Sequence, residues 1–487
     1  MVAGLLAMVG CGSNAGAPDF VAKSMDQADD PQTCAGCHPK HYQEWASSMH
    51  AYAADDPLFV AMNRRGQREG QIGKFCVNCH APMAVLTNGT TDGLNLQDLP
   101  PKLKGVTCYF CHNVTAVNGT HDNPLQLAQD GVMRGELDQP VRNTFHSSVY
   151  STLLDRDQLD SAKLCGSCHD IVNTQGAHLE RTYQEWQLSV FSQAQIGTTC
   201  GQCHMDQSTA LEPIAAVGGS PARHFHSHLF PAVDLPLTPR PATDALATAT
   251  QSFLDTSLQS ALCVRGTGAT TQLQVVLDNV AAGHRFPSRA TQDRRVWLQV
   301  TAYANDAVIY QSGMVPQDAA FSAADRTDLF WLGDCLLGDQ GQQVRMFWEA
   351  VDLESSLLPA QLTFDTTDPR YYQTHVAVDY PSAGSSIGAS PDRVTLDVRL
   401  APFDLDVFDS LVDSGDLGDL GESSGVTVAQ MRSLLASRTV GQELVWTRAT
   451  ASEVFIDQGV PTSCISTTNL RASADKVPAP LHTRCGP

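Results

Sequence analysis

The second half of the chain alternates apolar and polar positions with the two-residue period of a β-strand. Such runs lie at 271–280, 294–313 and 392–403, and they are rich in Val, Thr, Tyr and Trp, as half-buried strands are. The Asn-Asp pair at 305–306 falls inside the second run and predicts a hairpin turn there. One helix is predicted at 427–437. The pattern indicates a β-rich region, in the form of a β-sandwich.

The first half of the chain has few long periodic segments. Short helices are predicted at 42–51 and 179–191, and the Pro-rich stretch 231–244 is typical of a linker. We therefore predict an α+β multidomain chain. A mainly helical and loop domain would cover 12–240, and a β-sandwich-like domain would cover 241–487.

Five Cys-x-x-Cys-His motifs lie in the first half, and every Cys-x-x-Cys pair is followed by histidine. This spacing is typical of covalent c-type haem attachment. The two thiols bond to the haem vinyl groups, and the histidine gives iron its proximal imidazole. Zinc sites and redox dithiols also use Cys-x-x-Cys, but they have no reason to keep that histidine each time. The sequence predicts five c-type haems, with their iron, at Cys34, Cys37 and His38; Cys76, Cys79 and His80; Cys108, Cys111 and His112; Cys165, Cys168 and His169; and Cys200, Cys203 and His204.

The net charge of −21 argues against nucleic acid and anionic lipid surfaces as partners. It favours basic redox proteins as electron donors and acceptors, although plain solubility explains the charge equally well. Haem is attached to such motifs outside the cytoplasm, so export is expected. In an oxidising compartment four further cysteines would form two disulfides, in any of three connectivities, or else remain buried thiols. These four are Cys263, Cys335, Cys464 and Cys485.

The first eleven residues, MVAGLLAMVGC, form a short apolar run that ends at Cys11. This resembles a partial bacterial lipoprotein signal, in which the cysteine of the lipobox is lipidated. We therefore expect a periplasmic or outer-membrane, cell-surface lipoprotein, held to the membrane through Cys11. The alternative is a soluble exported protein with a damaged signal. No later stretch reaches the roughly 18 apolar residues of a membrane-spanning helix.

The motifs and their surroundings carry a family resemblance. CAGCHPKHYQEWASSMHA, CVNCHAPMAVL, GVTCYFCH, FHSSVYS, CGSCHDIVN and CGQCHM resemble bacterial multihaem c-type cytochromes related to the cytochrome c-554 family. GHRFPS followed by RRVWLQV resembles a β-domain that often follows the haem region in such proteins. The resemblance covers 34–313. Its members are mostly electron carriers, and some are enzymes that act on small nitrogen or sulfur compounds; five motifs depart from the tetrahaem pattern.

The resemblance also implies which histidines bind iron on the distal side. His50, His146 and His228 match distal positions of the family, and His284 belongs to a loop expected to return from the β-domain. These are four candidates for five haems. We expect the fifth site to be filled as well, by His224 or else by His121 or His178, but an open fifth haem is the alternative.

The tetrapeptide YQEW occurs twice, at 42–45 and 183–186, each time followed by a serine. Either a segment was duplicated, or two helices converged on a Tyr/Trp stripe that packs against haem. Packing is the favoured interpretation, since one tetrapeptide is a short match.

A haem with two imidazoles transfers electrons, whereas an open haem can bind and transform a small molecule. The leading hypothesis is therefore an electron carrier of periplasmic or extracellular respiration. The alternative is an oxidoreductase that acts on a small nitrogen or sulfur compound at one open haem. A scaffold subunit of a larger respiratory complex is a third interpretation. The β-domain would cap the haems, dock partners, or join subunits into a homo-oligomer or filament.

Overall fold

The structure is a computed structural model. It describes residues 29–467 except for 142, 144, 218, 317, 325–326, 366, 383, 419, 421–424, 452 and 458–459. The expected lipoprotein signal with Cys11, and Cys485 at the other end, lie outside the described residues. Within them, no helix combines the length and the apolar character that crossing a membrane requires.

The motif-bearing half consists of short helices joined by loops. Prolines begin several of them, which suits the first turn of a helix because its N–H groups have no partner there. The helices are α1 Pro31–Ala35, α2 Pro39–Ser47, α3 Met49–Tyr52, α4 Pro57–Gly70, α5 Val77–His80, α6 Pro82–Leu86, α7 Cys108–His112, α8 Ser161–Gly166, α9 Thr182–Leu188 and α10 Cys200–His204.

Small two-stranded pieces complete this half. Three of the four pairs are antiparallel and one, β3 with β4, is parallel. The strands are β1 Val114–Val117, β2 Leu125–Leu127, β3 Val132–Gly135, β4 Ser147–Tyr150, β5 Ile171–Val172, β6 His178–Glu180, β7 Gln207–Pro213 and β8 Ala222–His226.

The two predicted helices of this half differ from the observed elements. The segment 42–51 is divided between α2 and α3, because Ser48 leaves the helical conformation and its side chain accepts a hydrogen bond from the backbone of Ala51. The segment 179–191 starts in strand β6, and the helix α9 covers only its middle.

The second half begins with α11 Thr243–Ser257 and continues as two main antiparallel sheets. The first sheet has the strand order β17-β10-β9-β22-β21, and the second has β12-β11-β18-β19, with β13 on β11 and β20 on β18. Their strands are β9 Leu258–Arg265, β10 Gln272–Asn279, β11 Arg295–Ala304, β12 Ala307–Ser312, β13 Trp331–Leu332, β17 His375–Tyr380, β18 Arg393–Ala401, β19 Arg438–Thr439, β20 Leu444–Thr447, β21 Glu453–Asp457 and β22 Val460–Ser466.

A smaller sheet and two helices accompany the main sheets. The sheet has the order β15-β14-β16, from β14 Asp334–Leu337, β15 Gln343–Val344 and β16 Asp352–Ser355; the helices are α12 Leu405–Asp413 and α13 Val428–Leu434. The mixed α+β class expected from the sequence is confirmed.

The two main sheets bury their apolar faces in one core. Val275 and Leu277 of β10 and Val296 and Leu298 of β11 are all but inaccessible there. Burial alternates along β18, as the pattern predicts, whereas β10 and β11 are buried on both faces along most of their length. The hairpin between β11 and β12 turns at Asn305 and Asp306, where φ is +51° and +63°. Asn and Asp tolerate this left-handed region, which two-residue hairpin turns require.

Adjacent strands of the first sheet are joined by a disulfide between Cys263 on β9 and Cys464 on β22. This selects one of the three connectivities that the sequence left open. Cys335 is disulfide-bonded as well.

The two halves of the chain share a second apolar core. Leu58 and Ala61 of α4 pack with Phe408 and Leu411 of α12. Arg68 at the end of α4 also pairs with Asp416, just after α12. The motif-bearing half is therefore packed directly against the β-rich half.

Candidate haem sites

One continuous cavity of about 1520 Å³ runs through the motif-bearing half. Its wall is mostly apolar, and it includes the two cysteines and the histidine of all five motifs. The motifs are separated by up to 166 residues in sequence, from Cys34 to Cys200, yet they open into the same space. Porphyrin rings are large apolar groups, so a shared apolar cavity suits several of them packed together.

Each motif lies on about one turn of helix, which explains its spacing. Residues three and four apart share one face of a helix, so both thiols and the histidine point the same way. In α7 and α10 a threonine caps this turn: Thr107 accepts from the Phe110 backbone at 3.3 Å, and Thr199 accepts from the Gln202 backbone at 3.1 Å. These caps hold the attachment turn in place.

Four of the five proximal imidazoles have their Nδ1 atom hydrogen-bonded to a backbone carbonyl, which leaves Nε2 to bind a metal. A carbonyl oxygen can only accept, so an Nδ1 atom beside one must carry the proton and Nε2 keeps its lone pair. Burial also lowers the pKa of His80 and His204 to about 4, so these two rings are neutral at pH 7. The Nδ1 to oxygen distances are 2.8 Å for His38 to Ile214, 3.1 Å for His80 to Ala53, 2.6 Å for His112 to Arg134 and 2.8 Å for His204 to Pro231.

Four proximal rings each face a second imidazole across the cavity. Two imidazoles bound on opposite sides of one metal through bonds of about 2 Å would hold their ring centres roughly 6.3 Å apart. The observed separations agree with this value. They are 6.3 Å for His38 and His146, 6.2 Å for His169 and His50, 6.5 Å for His112 and His228, and 6.5 Å for His204 and His284.

The second imidazoles of these pairs show the same features, an Nδ1 hydrogen bond to a backbone carbonyl or a pKa lowered by burial. His228 and His284 donate Nδ1–H to the carbonyls of His226, at 2.9 Å, and Arg285, at 2.8 Å. Burial lowers the pKa of His50 and His228 to about 4, so both rings are neutral ligands at pH 7. The residues present therefore fit a haem iron held between two histidines at four places.

His80 differs from the other proximal histidines. Its ring stacks on Phe59, with centres 3.9 Å apart and planes within 2°. Among the described residues, no histidine ring stands opposite it at the separation of the four pairs. The site has a proximal imidazole without a matching distal one.

None of the three histidines expected to fill a fifth site is seen facing His80 in the described part of the chain. His224 is exposed on β8, where its Nδ1 lies 2.8 Å from the carbonyl of Ser208. His121 is exposed beside Thr120, and His178 is exposed at the start of β6. His224 lines the shared cavity from β8, but among the described residues its ring is not seen facing His80, so its place as a fifth ligand stays a prediction.

Contacts between thiols show how the five attachment sites adjoin one another. The first and third motifs, the second and fourth, and the fourth and fifth each bring one cysteine against another. Cys111 of the third motif also acts electrostatically on both cysteines of the fourth. The sites therefore form one connected, branched set in which the fourth motif adjoins the second, third and fifth, and the third adjoins the first; the thiol contacts are Cys34–Cys108, Cys79–Cys168 and Cys165–Cys200.

Both YQEW segments fasten an attachment helix in the same way. Trp45 donates its indole N–H to the carbonyl of Val106 at 2.7 Å, two residues before Cys108. Trp186 donates to Thr198 at 2.9 Å, two residues before Cys200. The serine after each segment donates to its tryptophan carbonyl at 2.7 Å.

Sequence reasoning missed the place of His41. Its ring centre is 5.6 Å from that of His38 and 5.0 Å from that of His228, so it lies between ligands of two different sites. Nothing local signals the observed position, because His228 comes from a distant segment.

Comparisons with known proteins agree with this geometry. Residues 33–113 match the model of the family described as cytochrome c554 and c-prime. The solved structure of a penta-heme cytochrome c552 from Thermochromatium tepidum aligns with a TM-score of 0.57 at 18% identity, over 87% of this chain and 100% of that one. At this identity the likeness shows the fold. No curated protein matches the chain. The motifs, the paired histidines and these matches together support a multihaem c-type cytochrome related to the cytochrome c554 family.

Proposed function

We propose that the chain carries five covalent c-type haems and passes single electrons between protein partners in periplasmic or extracellular respiration. The observation that carries the proposal is the set of four imidazole pairs, 6.2–6.5 Å apart, inside one cavity. When bound, each haem supplies a one-electron iron couple. The chain's own residues place the rings in facing pairs and line the cavity with mostly apolar side chains.

The connected set of attachment sites supports transfer rather than storage. Neighbouring motifs touch through their cysteines, so haems bound there would lie edge to edge. Two histidines on one iron leave no position for a substrate, which favours electron transfer at those four sites.

A second function is supported by His80. Its ring has no imidazole opposite it in the described part of the chain, which favours an open iron position at that site. A small nitrogen or sulfur compound could bind and react there. This retains the alternative of an oxidoreductase, with the four closed haems as its electron supply.

The test combines intact mass with paramagnetic resonance on protein matured in a cytochrome c-producing host. We expect five haems, four low-spin signals and one high-spin signal that is removed by cyanide. Fewer than five haems would contradict the count. Five low-spin signals without ligand binding would leave electron transfer as the only function, and turnover of hydroxylamine or nitrite would establish the enzyme.

The location and partners are part of the same proposal. Covalent haem requires export, and the lipobox-like sequence supports a lipid anchor at Cys11. The charge of −21 supports basic redox proteins as donors and acceptors. The exposed side of the β-rich half is available for docking or for assembly into a homo-oligomer or filament.

A further inference from the structure

The loop between β10 and β11 reaches from the β-rich half into the haem cavity. It carries His284, which faces His204, and five residues later it carries Arg289. Both side chains line the cavity. Arg289 has φ of +71°, a region that residues with a bulky side chain avoid and that is concentrated at functional sites.

Arg289 has more hydrogen-bond donors than protein partners. Among the described residues, its one polar contact is from Nε to a carboxylate oxygen of Glu180 at 3.9 Å. That is too long for a hydrogen bond. A guanidinium has five N–H groups in a planar fork and stays charged in proteins. Its side chain is 36% exposed, and because it lines the cavity, the exposed part faces the haem space.

Another arginine of the same loop shows what a satisfied side chain looks like here. Arg294 pairs with Asp234 at 2.7 Å and donates to the carbonyls of Ser288 and Pro402 at 2.6 and 3.2 Å. Its side chain is only 6% exposed. The loop therefore can bury and pair an arginine, and Arg289 is left without such partners.

The positive charge of Arg289 is felt at two sites at once. Burial is the main cause that lowers the pKa of His80, His169 and His50, and the charge of Arg289 is the next largest for each of them. These rings belong to the second and fourth sites, whose cysteines Cys79 and Cys168 are in contact. The guanidinium thus lies near the boundary between the unmatched His80 site and its closed neighbour.

We propose that Arg289 is an anion-binding residue of the cavity, which takes a carboxylate or a small oxyanion by paired N–H donation. The fork geometry of guanidinium matches such groups better than a lysine would. Two sources can supply this chemistry: a propionate of a bound haem, or a free oxyanion that enters beside His80. The inference rests on the proposed function, because both sources presuppose haem at these motifs.

The experiment uses the full, haem-loaded protein and compares Arg289→Gln with Arg393→Gln. Arg393 is a matched control: its ion pair with Asp306 is also 3.9 Å long and its side chain is 38% exposed, but it lies on β18 outside the cavity. The midpoint potential of each haem is measured by spectroelectrochemistry without nitrite. Nitrite is then titrated into the oxidised protein and followed in the Soret band.

Each source gives its own result. If a propionate is bound, Arg289→Gln lowers at least one midpoint potential, because the lost cation had opposed the ferric state, and nitrite affinity changes less than twofold. If a free oxyanion is bound, the Kd for nitrite rises at least tenfold; the lost charge lowers a potential in this case too, so the nitrite Kd separates the two sources. Arg393→Gln changes neither.

The proposal is overturned if Arg289→Gln behaves like Arg393→Gln in both measurements. If Arg289→Gln fails to mature, Arg289→Lys replaces it: retained charge should keep the potentials within the wild-type range, whereas nitrite affinity falls if the fork binds the free anion. A lysine variant that matches wild type in potential, nitrite affinity and the ionic-strength dependence of both would also refute a role for the fork. Intact mass separates this result from failure of the proposed function, which would appear in the wild type as fewer than five haems.

Discussion

Replacing His284 by glycine should open a second haem. His284 and His204 are 6.5 Å apart at their ring centres, with planes within 9°, and the imidazole of His284 comes from a loop of the β-rich half. Without it, His204 remains as one axial ligand and the opposite position is empty. Glycine fills none of the space that the ring leaves.

The magnitude follows from counting matched and unmatched rings. Within the described residues, His80 is the one proximal imidazole that no second histidine ring faces, so the wild type should bind one equivalent of carbon monoxide when reduced. The His284→Gly protein should bind two, and its low-spin signals should fall from four to three. Added imidazole should return the count to one, because it occupies the vacated space and supplies the missing nitrogen.

The assay is a carbon monoxide titration of the dithionite-reduced protein, read from the Soret difference spectrum. His224→Gly is the control, since this exposed ring is hydrogen-bonded to the Ser208 carbonyl and is not seen opposite a proximal ring among the described residues; it should keep one equivalent. One equivalent in both His284→Gly and wild type would refute the pairing by ring separation. No binding in the wild type would show that another group closes the His80 site.

Three further predictions concern folding and location. Gly166→Ala should lower the free energy of unfolding by about 1–3 kcal/mol, because a Cβ there would overlap the ring of Tyr183. Gly36→Ala, with no described atom within 4 Å of the new Cβ, should change it by less than about 0.5 kcal/mol; denaturant titration measures both, and equal effects would contradict the packing. Burial raises the pKa of Asp334 from 3.8 to about 6, so the folded state binds this proton more tightly than the unfolded state and stability falls as pH rises from about 4 to 6; Asp334→Asn should remove that part of the slope, and an unchanged slope would show that the carboxyl does not contribute. Expressed with a complete signal, the protein should fractionate with membranes and Cys11→Ser should release it; equal solubility of the two would rule out the anchor.

The attachment residues could be predicted from sequence because their chemistry is local. Two thiols and an imidazole must fit one helical turn, so a motif such as Cys108, Cys111 and His112 can be recognised within five consecutive residues. The strand β18 could be predicted for the same reason, since its side-chain burial alternates with a period of two residues.

The pairing of rings could not be read in this way. His38 and His146 are 108 residues apart in the sequence, and neither segment carries a signal that identifies the other. The resemblance indicated His146 as a candidate ligand, but only the fold shows that it faces His38. His224 was a reasonable candidate by proximity to His228. The β7–β8 pair places it at the cavity wall without a proximal ring seen opposite it among the described residues, and no local signal in the sequence decides such a tertiary placement.

The matching hydrogen bonds of Trp45 and Trp186 favour duplication over convergence for the two YQEW segments. Each indole holds the residue two positions before an attachment helix, and each following serine closes the turn in the same way. Each segment therefore carries the tryptophan that holds another attachment helix, so a duplicated copy would bring this hydrogen bond with it. Duplication of such a segment would add a haem site to the set. The second iron ligand of an added site could then come from an adjoining domain, as His284 does here.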